Sequence, residues 1–365
     1  MLEGCRIYLI LKQFLICISR CKVSDNSENI CKFATIKTQI IMKKALLLLV
    51  TIMLWSCSDR NEDIVIDGEL HMSVDELPRI DCSTSTQPLG MILAAKLMNL
   101  PYAWWLNVGL DQTWYCLIDY ESTNLPQEEK DDIEGKLYEK LKCNGTHGSL
   151  INLIDGNTDV AIASRGLSRE EKAYAKKKGV EVMEQPIGRD AFIFMVNNAN
   201  PIKNLSTAQI QNIYTGKTRN WKDVGGNDAT ISPYIRNSDS GSQEKMETMV
   251  MQGLTMIDWP EMITTSMTAP FEALRSDANG IAYTPYFYYS IMAREQTWAK
   301  YISVDGVEPT KTTIANETYP YVSEICVAVR ANVDRKSKAY KIYKYLTTPQ
   351  GQSIVEESGY VPLAK

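Results

Sequence analysis

Short apolar runs alternate with amphipathic segments along most of the chain. Runs rich in β-branched and aromatic residues, bounded by polar or turn residues, predict strands at 159–163, 191–196, 281–284 and 325–329. Alternation of such strands with helical patterns is typical of α/β proteins with mostly parallel sheets. We therefore predict an α/β fold of this kind.

Cap residues predict where two of the helices begin. Ser168 and Glu171 have capping-box spacing, in which a serine oxygen and a glutamate carboxylate bind N–H groups of the first turn. Because Gly179 supplies a C-terminal stop, we predict a helix over residues 169–178. The same device recurs at 206–209, before a second apolar run.

The segment before the first predicted strand has the pattern of a targeting signal. Residues 42–56 start with Met-Lys-Lys, continue as an apolar run and end in Leu-Trp-Ser directly before Cys57, which resembles a bacterial lipoprotein signal peptide. The run is shorter than the about 20 residues of a membrane span, and polar residues 57–63 follow it as a tether would. We therefore expect export, lipidation of Cys57 and attachment to a membrane, in the periplasm or at the cell surface.

Residues 1–41 fit neither a domain nor a membrane span. They hold four of the nine cysteines and one interrupted apolar run. We expect that they result from an upstream start and are not part of the native protein. A genuine additional anchor is the alternative.

The composition is that of a globular chain, with 44% of the 365 residues hydrophobic and 23% charged. This length suggests about two domains. Residues 1–56 carry 8 of the 39 basic and 3 of the 44 acidic residues, so the remainder has a net charge of 31 − 41 = −10. Because the chain is acidic and has no basic run, we expect no nucleic-acid partner.

Four cysteines follow Cys57 in what would be an exported domain, where disulfides can persist. These are Cys82, Cys116, Cys143 and Cys326. Four cysteines allow three pairings, and their spacing does not select one of them.

Three segments place small hydroxyl residues or glycines directly before a helical pattern, at 83–89, 145–149 and 236–243. A helix N-terminus offers unpaired N–H groups and the positive end of the helix dipole, which favour an anion. One such segment alone indicates only a cap, and Ser240 with Gln243 also has capping-box spacing. Three of them, one beginning with an arginine, favour an oxyanion site.

Motifs for catalysis do not appear in the sequence. The only histidines are His71 and His147, and there is no Gly-x-Ser-x-Gly elbow or phosphate-binding P-loop. A pairing of His147 with Ser149 as base and nucleophile is unfavourable because neighbouring loop residues rarely face each other. We expect no enzymatic activity, no catalytic residue, no metal and no cofactor.

A series of motifs follows one order along the chain, and the most specific stretch is 205–226. It contains Leu-Ser-Thr-Ala-Gln-Ile, Ile-Tyr-Thr-Gly-Lys and Asn-Trp-Lys-Asp-Val-Gly-Gly. The others are the Ser/Thr loop with Pro-Leu at 83–89, Gly-Thr-His-Gly at 145–148, Asp-Gly-Asn-Thr-Asp at 155–159, Arg with Ser-Gly-Ser at 236–242, and Tyr-Val-Pro-Leu at 360–363. Together they resemble the phosphate-binding proteins of bacterial phosphate ABC transporters, within the type II periplasmic binding-protein fold.

The resemblance implies two lobes, each with a central sheet, around a ligand cleft. Lobe one would comprise 64–187 and 321–365 and lobe two 188–320, with a hinge that closes on the ligand. It implies a monomer that captures inorganic phosphate or a similar oxyanion and delivers it to the permease of an ABC transporter. By position, the anion would be held by Ser85, Thr86, Thr146, Ser164, Arg165, Arg236, Ser240, Gly241 and Ser242.

The chain departs from the family at two places. Well-known members carry an aspartate where Arg165 stands, and that carboxylate accepts the proton of hydrogen phosphate and repels sulfate. Arg165 leaves two alternatives open: a second clamp on the anion, or an ion pair with Asp159 or Glu170. The segment 99–142, with three of the seven tryptophans, is either core packing or an aromatic wall for a ligand or partner.

Two other classes of function remain as alternatives. One is an exported surface or signalling module of the same fold that binds another oxyanion, a larger acidic ligand or a partner protein. The other is a secreted phosphatase that uses the same pocket. Bound phosphate favours capture, whereas turnover of a phosphate ester favours the enzyme.

Overall fold

The computed structural model describes residue 66 and residues 68–108, 112–238 and 240–363, so the predictions for the signal peptide, Cys57 and the tether lie outside the described residues. The strands are β1 Ile80–Cys82, β2 Tyr102–Leu106, β3 Trp114–Ile118, β4 Leu141–Cys143, β5 Val160–Ala163, β6 Val182–Asn197, β7 Asn204–Leu205, β8 Ser232–Pro233, β9 Ile235–Arg236, β10 Ile263–Thr264, β11 Gly280–Pro285, β12 Ala299–Tyr301, β13 Ser303–Val304, β14 Val322–Arg330 and β15 Val361–Pro362. The α-helices are α1 Gln87–Leu97, α2 Gln127–Lys140, α3 Gly145–Asp155, α4 Arg169–Lys178, α5 Thr207–Tyr214, α6 Gly241–Lys245, α7 Ala269–Ser276, α8 Lys311–Ala315, α9 Lys338–Tyr345 and α10 Pro349–Glu357.

Nine of the strands form one mixed sheet organised around β6. The order is β4-β1-β5-β14-β6-β11-β8, and β12 and β15 also pair with β6. The β1 strand is parallel to β4 and β5, and β11 is parallel to β8, but every pairing of β6 and β14 is antiparallel. The prediction of mostly parallel sheets is therefore wrong, because two long antiparallel strands occupy the centre of the sheet.

The 16-residue strand β6 joins the two halves of this sheet. Up to Ala191 it pairs with β14 and β15, and from Phe192 onward it pairs with β11 and β12. The chain passes back between the halves beside β6, at the start of β14, where Tyr321 O accepts a hydrogen bond of 2.8 Å from Phe192 N. Residues 64–365 form one compact unit, and the lobe boundaries stay a prediction.

Locally encoded elements match the sequence-based expectations well. Helix α4 covers the predicted residues 169–178, with both hydrogen bonds of the capping box, and the box at 206–209 opens α5. Three of the four predicted strands lie within β6, β11 and β14, and β5 covers all but the first residue of the predicted strand 159–163. The helical run expected after Ser149 instead begins at Gly145, so α3 includes the whole glycine and hydroxyl segment.

Aromatic side chains fill the core where β6 passes between the halves. The Phe192 and Tyr283 ring centroids are 5.1 Å apart, and those of Phe194 and Tyr214 are 6.1 Å apart. All four rings are buried. Burial of rings of this size contributes strongly to stability, so these contacts stabilise the packing of β6 against β11 and α5.

The aromatic segment 99–142 forms the β2–β3 hairpin and helix α2. Trp104 packs against the core, whereas Trp105 is 45% exposed. Trp114 contacts the loop before β12, where its indole N–H donates to Glu295 Oε1 at 3.1 Å and its ring lies 3.8 Å from the Arg294 guanidinium. These contacts favour packing within the protein for Trp104 and Trp114.

The four cysteines that follow Cys57 are free thiols in the structure. Cys82 and Cys143 lie opposite each other on the neighbouring strands β1 and β4. Among the residues that the structure describes, every helix is too short or too polar to cross a membrane.

Candidate functional site

The three glycine and hydroxyl segments meet at one small cavity of about 160 Å³. Its walls are formed mainly by hydroxyl, cationic and glycine residues. They are Thr84, Ser85, Gly145, Thr146, Ser164, Arg236, Asn237, Ser240, Gly241, Ser242, Lys245, Thr265, Met267 and Pro285. Seven of the nine predicted anion-binding residues are therefore brought together here, and Thr86 and Arg165 are not.

The first segment follows the end of β1 and turns into α1. Thr86 points away from the cavity, because its hydroxyl donates to Ile162 O at 2.6 Å and contacts Ser83 Oγ at 2.8 Å. Thr84, which the sequence analysis missed, lines the wall in its place. The Tyr360 hydroxyl fixes this loop by donating to Ser85 O at 2.8 Å.

A buried carboxylate positions the second segment, at the start of α3. Asp81 accepts hydrogen bonds from Asn144 N at 3.0 Å, from Asn144 Nδ2 at 2.8 Å and from Asn152 Nδ2 at 2.7 Å. The next residues then place Thr146 Oγ1 2.9 Å from Ser164 Oγ. Asp81 thus aligns the loop without lining the cavity.

Arg236, at the end of β9, brings a buried positive charge to the cavity. It is 7% exposed, and its Nε donates to Thr264 O at 3.2 Å while Nη1 lies 3.3 Å from Met267 Sδ. No carboxylate among the described residues forms an ion pair with it, and burial lowers the pKa of the guanidinium. Burying a charge is costly unless a partner compensates it.

The side chain of Gln243 holds Arg236 in place, so the predicted capping box with Ser240 is not formed. Its Oε1 accepts from Arg236 N at 3.2 Å and from the Tyr283 hydroxyl, and its Nε2 donates to Glu247. Ser240 instead caps α6 through Ser242 N, at 3.2 Å. Ser240 and Gln243 have the spacing of a capping box, but the Gln243 oxygen accepts from the buried backbone N–H of Arg236 instead.

Lys245 is a second cation at the cavity and was not found from the sequence. It is 4% exposed, its Nζ donates to Ser323 Oγ at 2.9 Å, and burial lowers its pKa. The nearby Asp190 carboxyl is also buried, which raises its pKa. A lysine one turn into a helix usually faces solvent, so no pattern in the sequence indicates this role.

Arg165 lies beside the cavity and not in it. Its Nη1 and Nη2 donate to the two oxygens of Glu171 at 2.7 and 3.0 Å, and its Nε donates to Glu244 at 2.6 Å. The predicted ion pair of Arg165 with Asp159 or Glu170 is therefore wrong, and Asp159 is paired with Arg79 instead. Arg165 lines an outer cavity of about 580 Å³ that shares Thr146, Ser240 and Gly241 with the small one.

The arrangement as a whole favours a small anion. Two buried cations face hydroxyl groups and the N-termini of α1 and α3, and no described lining residue is a carboxylate. Hydrogen bonds from cations to an anion are roughly twice as strong as neutral ones. A small volume and polar walls fit a tetrahedral oxyanion better than an apolar ligand.

Residues 135–340, more than half of the chain, match the PBP superfamily domain, and the chain belongs to this family. Two solved structures share its fold. An ABC-type phosphate transport receptor from Vibrio cholerae is 20% identical, with a TM-score of 0.53 over 78% of this chain and 99% of that chain. A phosphate-binding protein from Stenotrophomonas maltophilia is 12% identical, with a TM-score of 0.51 over 79% and 91%. The predicted α/β fold of type II periplasmic binding proteins is thereby confirmed.

Curated relatives are similar over a shorter stretch. The phosphate-binding protein PstS of Staphylococcus epidermidis is 28% identical over 227 residues, which are 60% of this chain and 69% of that protein. Protein SphX of Synechococcus elongatus is 24% identical over 234 residues, 60% of this chain and 67% of that protein.

Replacement of Gln243 by leucine tests its role in holding Arg236. The change removes one buried acceptor from Arg236 N and from the Tyr283 hydroxyl, so we expect the free energy of unfolding to fall by about 1–3 kcal/mol. Gln127→Leu, on the exposed face of α2, is the control and should stay within about 0.5 kcal/mol. Urea denaturation measures both, and equal effects of the two changes would contradict this role.

Proposed function

We propose that this chain is an extracytoplasmic substrate-binding protein that captures phosphate and delivers it to an ABC importer. The observation that carries the proposal is the buried Arg236, which lacks an ion-pair partner among the described residues and lines a small cavity of hydroxyl groups. An oxyanion would supply the missing negative charge. The names of the related proteins, which describe phosphate binding and transport, support phosphate as that oxyanion.

The proposed contacts follow from the chemistry of the cavity wall. Arg236 and Lys245 neutralise the anion, and the hydroxyls of Ser85, Thr146, Ser164, Ser240 and Ser242 donate hydrogen bonds to its oxygens. Glycine at position 241 lets the backbone approach the anion closely. A Cβ there would lie only 3.2 Å from Thr146 Oγ1 and would crowd the cavity. Closure of the two predicted lobes would enclose the ligand from both sides.

A phosphatase is disfavoured by the same wall. Hydrolysis of an ester requires a nucleophile and a group that transfers a proton, and the described lining residues include neither histidine nor carboxylate. His147, which follows the cavity residue Thr146, lines the outer cavity, and its Nδ1 lies 2.9 Å from Glu171 Oε1. We propose binding without turnover.

Arg236→Ala tests the central contact. Loss of a charge-assisted hydrogen bond costs roughly 1.5–3 kcal/mol, so phosphate should bind about ten- to a hundredfold more weakly. Arg219→Ala, an exposed arginine outside the cavity, is the control and should leave affinity unchanged. Isothermal titration calorimetry measures both, and an unaltered dissociation constant in Arg236→Ala would remove this residue from the site.

Asn237 offers a basis for choosing phosphate over sulfate. With Arg165 outside the small cavity, the described wall contains one side-chain oxygen that accepts but cannot donate, the amide oxygen of Asn237. This Oδ1 is buried and has no hydrogen-bond partner among the residues that the structure describes. Phosphate keeps at least one proton at neutral pH and can donate it to Oδ1, whereas sulfate has none and would leave two acceptors opposed.

Asn237 variants test whether Oδ1 is the acceptor that selects phosphate over sulfate. Asn237→Ala should reduce the preference for phosphate over sulfate by about tenfold or more, the effect of losing one buried acceptor. Asn237→Asp keeps an acceptor and should still bind phosphate and exclude sulfate. Competition titrations measure the ratio in parent and variants. Loss of phosphate binding in Asn237→Asp would mean that the amide N–H, and not Oδ1, faces the ligand.

Attachment to a membrane through Cys57 is part of the same proposal. The motif Leu-Trp-Ser-Cys after an apolar run supports it. Cys57→Ala should prevent lipidation and leave the precursor unprocessed, while Cys82→Ala should have no effect on processing. Mass spectrometry of the mature N-terminus reads out both changes, and an unmodified protein beginning at Met1 would exclude the anchor.

A further inference from the structure

Arg165 links two parts of the chain that the sequence analysis assigns to different lobes. It follows β5, beside the cavity residue Ser164, and its side chain is 16% exposed. Glu171 lies in the first turn of α4, and Glu244 lies in α6, two residues after the cavity residue Ser242. The ion pair between Arg165 and Glu244 therefore joins the two sides directly next to the proposed ligand.

The contact is built so that Arg165 is fixed on one side and reaches across to the other. Glu171 is fully buried and binds Arg165 through both oxygens, at 2.7 and 3.0 Å, while also accepting from Ser168 N at 2.8 Å. A bidentate pair of this kind sets the plane of the guanidinium. The remaining Nε–H then points to Glu244, at 2.6 Å.

The surroundings make this pair more than a surface ion pair. Glu244 is 30% exposed and Arg165 less, so solvent screens their attraction only in part. Glu171 already neutralises Arg165, so Glu244 brings a further negative charge to the group. A pair between lobes contributes only when the lobes are closed, because opening separates its members and returns Glu244 to water.

We propose that Arg165 is a positioning residue that latches the closed form, with Glu171 as its fixed base and Glu244 as the partner released on opening. The latch contacts no ligand atom and acts by slowing opening of the cleft. This explains an arginine beside the cavity without assigning it to the anion. The expected change in the phosphate dissociation rate rests on the proposed function. The expected change in the opening of the cleft without ligand does not.

Glu244→Gln is the test variant, because it removes the negative charge of the released partner, keeps a neutral acceptor of the same shape and leaves the Arg165–Glu171 pair intact. Stopped-flow measurements should give a phosphate dissociation rate about tenfold faster than that of the parent, because the attraction between the two charges is lost, with little change in the association rate. Glu170→Gln, which removes an exposed charge from the same outer cavity, should leave both rates unchanged. An unchanged dissociation rate in Glu244→Gln would overturn the latch.

Two further measurements separate a latch from a general structural effect. In an Arg165→Lys background the additional change Glu244→Gln should have a much smaller effect on dissociation, and full additivity would contradict a direct pair. Small-angle X-ray scattering without phosphate should give a larger radius of gyration for Glu244→Gln than for the parent. Equal radii would also count against the latch. This comparison holds even if the parent fails to bind phosphate, an outcome that would overturn the proposed function alone.

Discussion

The structure of the cavity depends on one constraint, the burial of the Arg236 guanidinium. A buried charge must be compensated, and the described part of the chain offers Arg236 only a carbonyl, a thioether and the hydroxyl-lined wall. Its backbone is meanwhile fixed by Gln243 and Tyr283. The described residues thus hold a cation without an anionic partner among themselves, which costs stability and favours the entry of an anion.

The fold supplies the rigidity that this arrangement needs. Strand β6 passes through both halves of the sheet, and β1 and β5, whose ends lead to the cavity, are connected to it through β14. Strand β9 pairs with β10 in a separate two-stranded sheet. Side chains outside the cavity then set the loops, as Asp81 does for Asn144 and Tyr360 does for Ser85.

Features encoded by neighbouring residues were predictable, and features that depend on distant partners were not. The α4 helix followed from Ser168, Glu171 and Gly179, and the three anion segments followed from hydroxyl and glycine residues before helices. The sequence could not distinguish Thr84 from Thr86, because the partner of Thr86 is the Ile162 carbonyl, 76 residues away. Gln243, Lys245 and Arg165 likewise take their roles from strands and helices that only the folded chain brings near.

The net charge of the chain and the charge of its cavity have opposite signs, and distance explains how they coexist. Exposed charges are screened over about 8–10 Å at ordinary ionic strength, so an acidic surface acts weakly on a buried site. Inside the cavity the effective dielectric constant is lower, and Arg236 and Lys245 act at hydrogen-bond range. Glu171 and Glu244 would oppose an anion, but Arg165 stands among them and neutralises part of their charge. The acidic groups nearest the site are therefore used to hold the protein together instead of repelling its ligand.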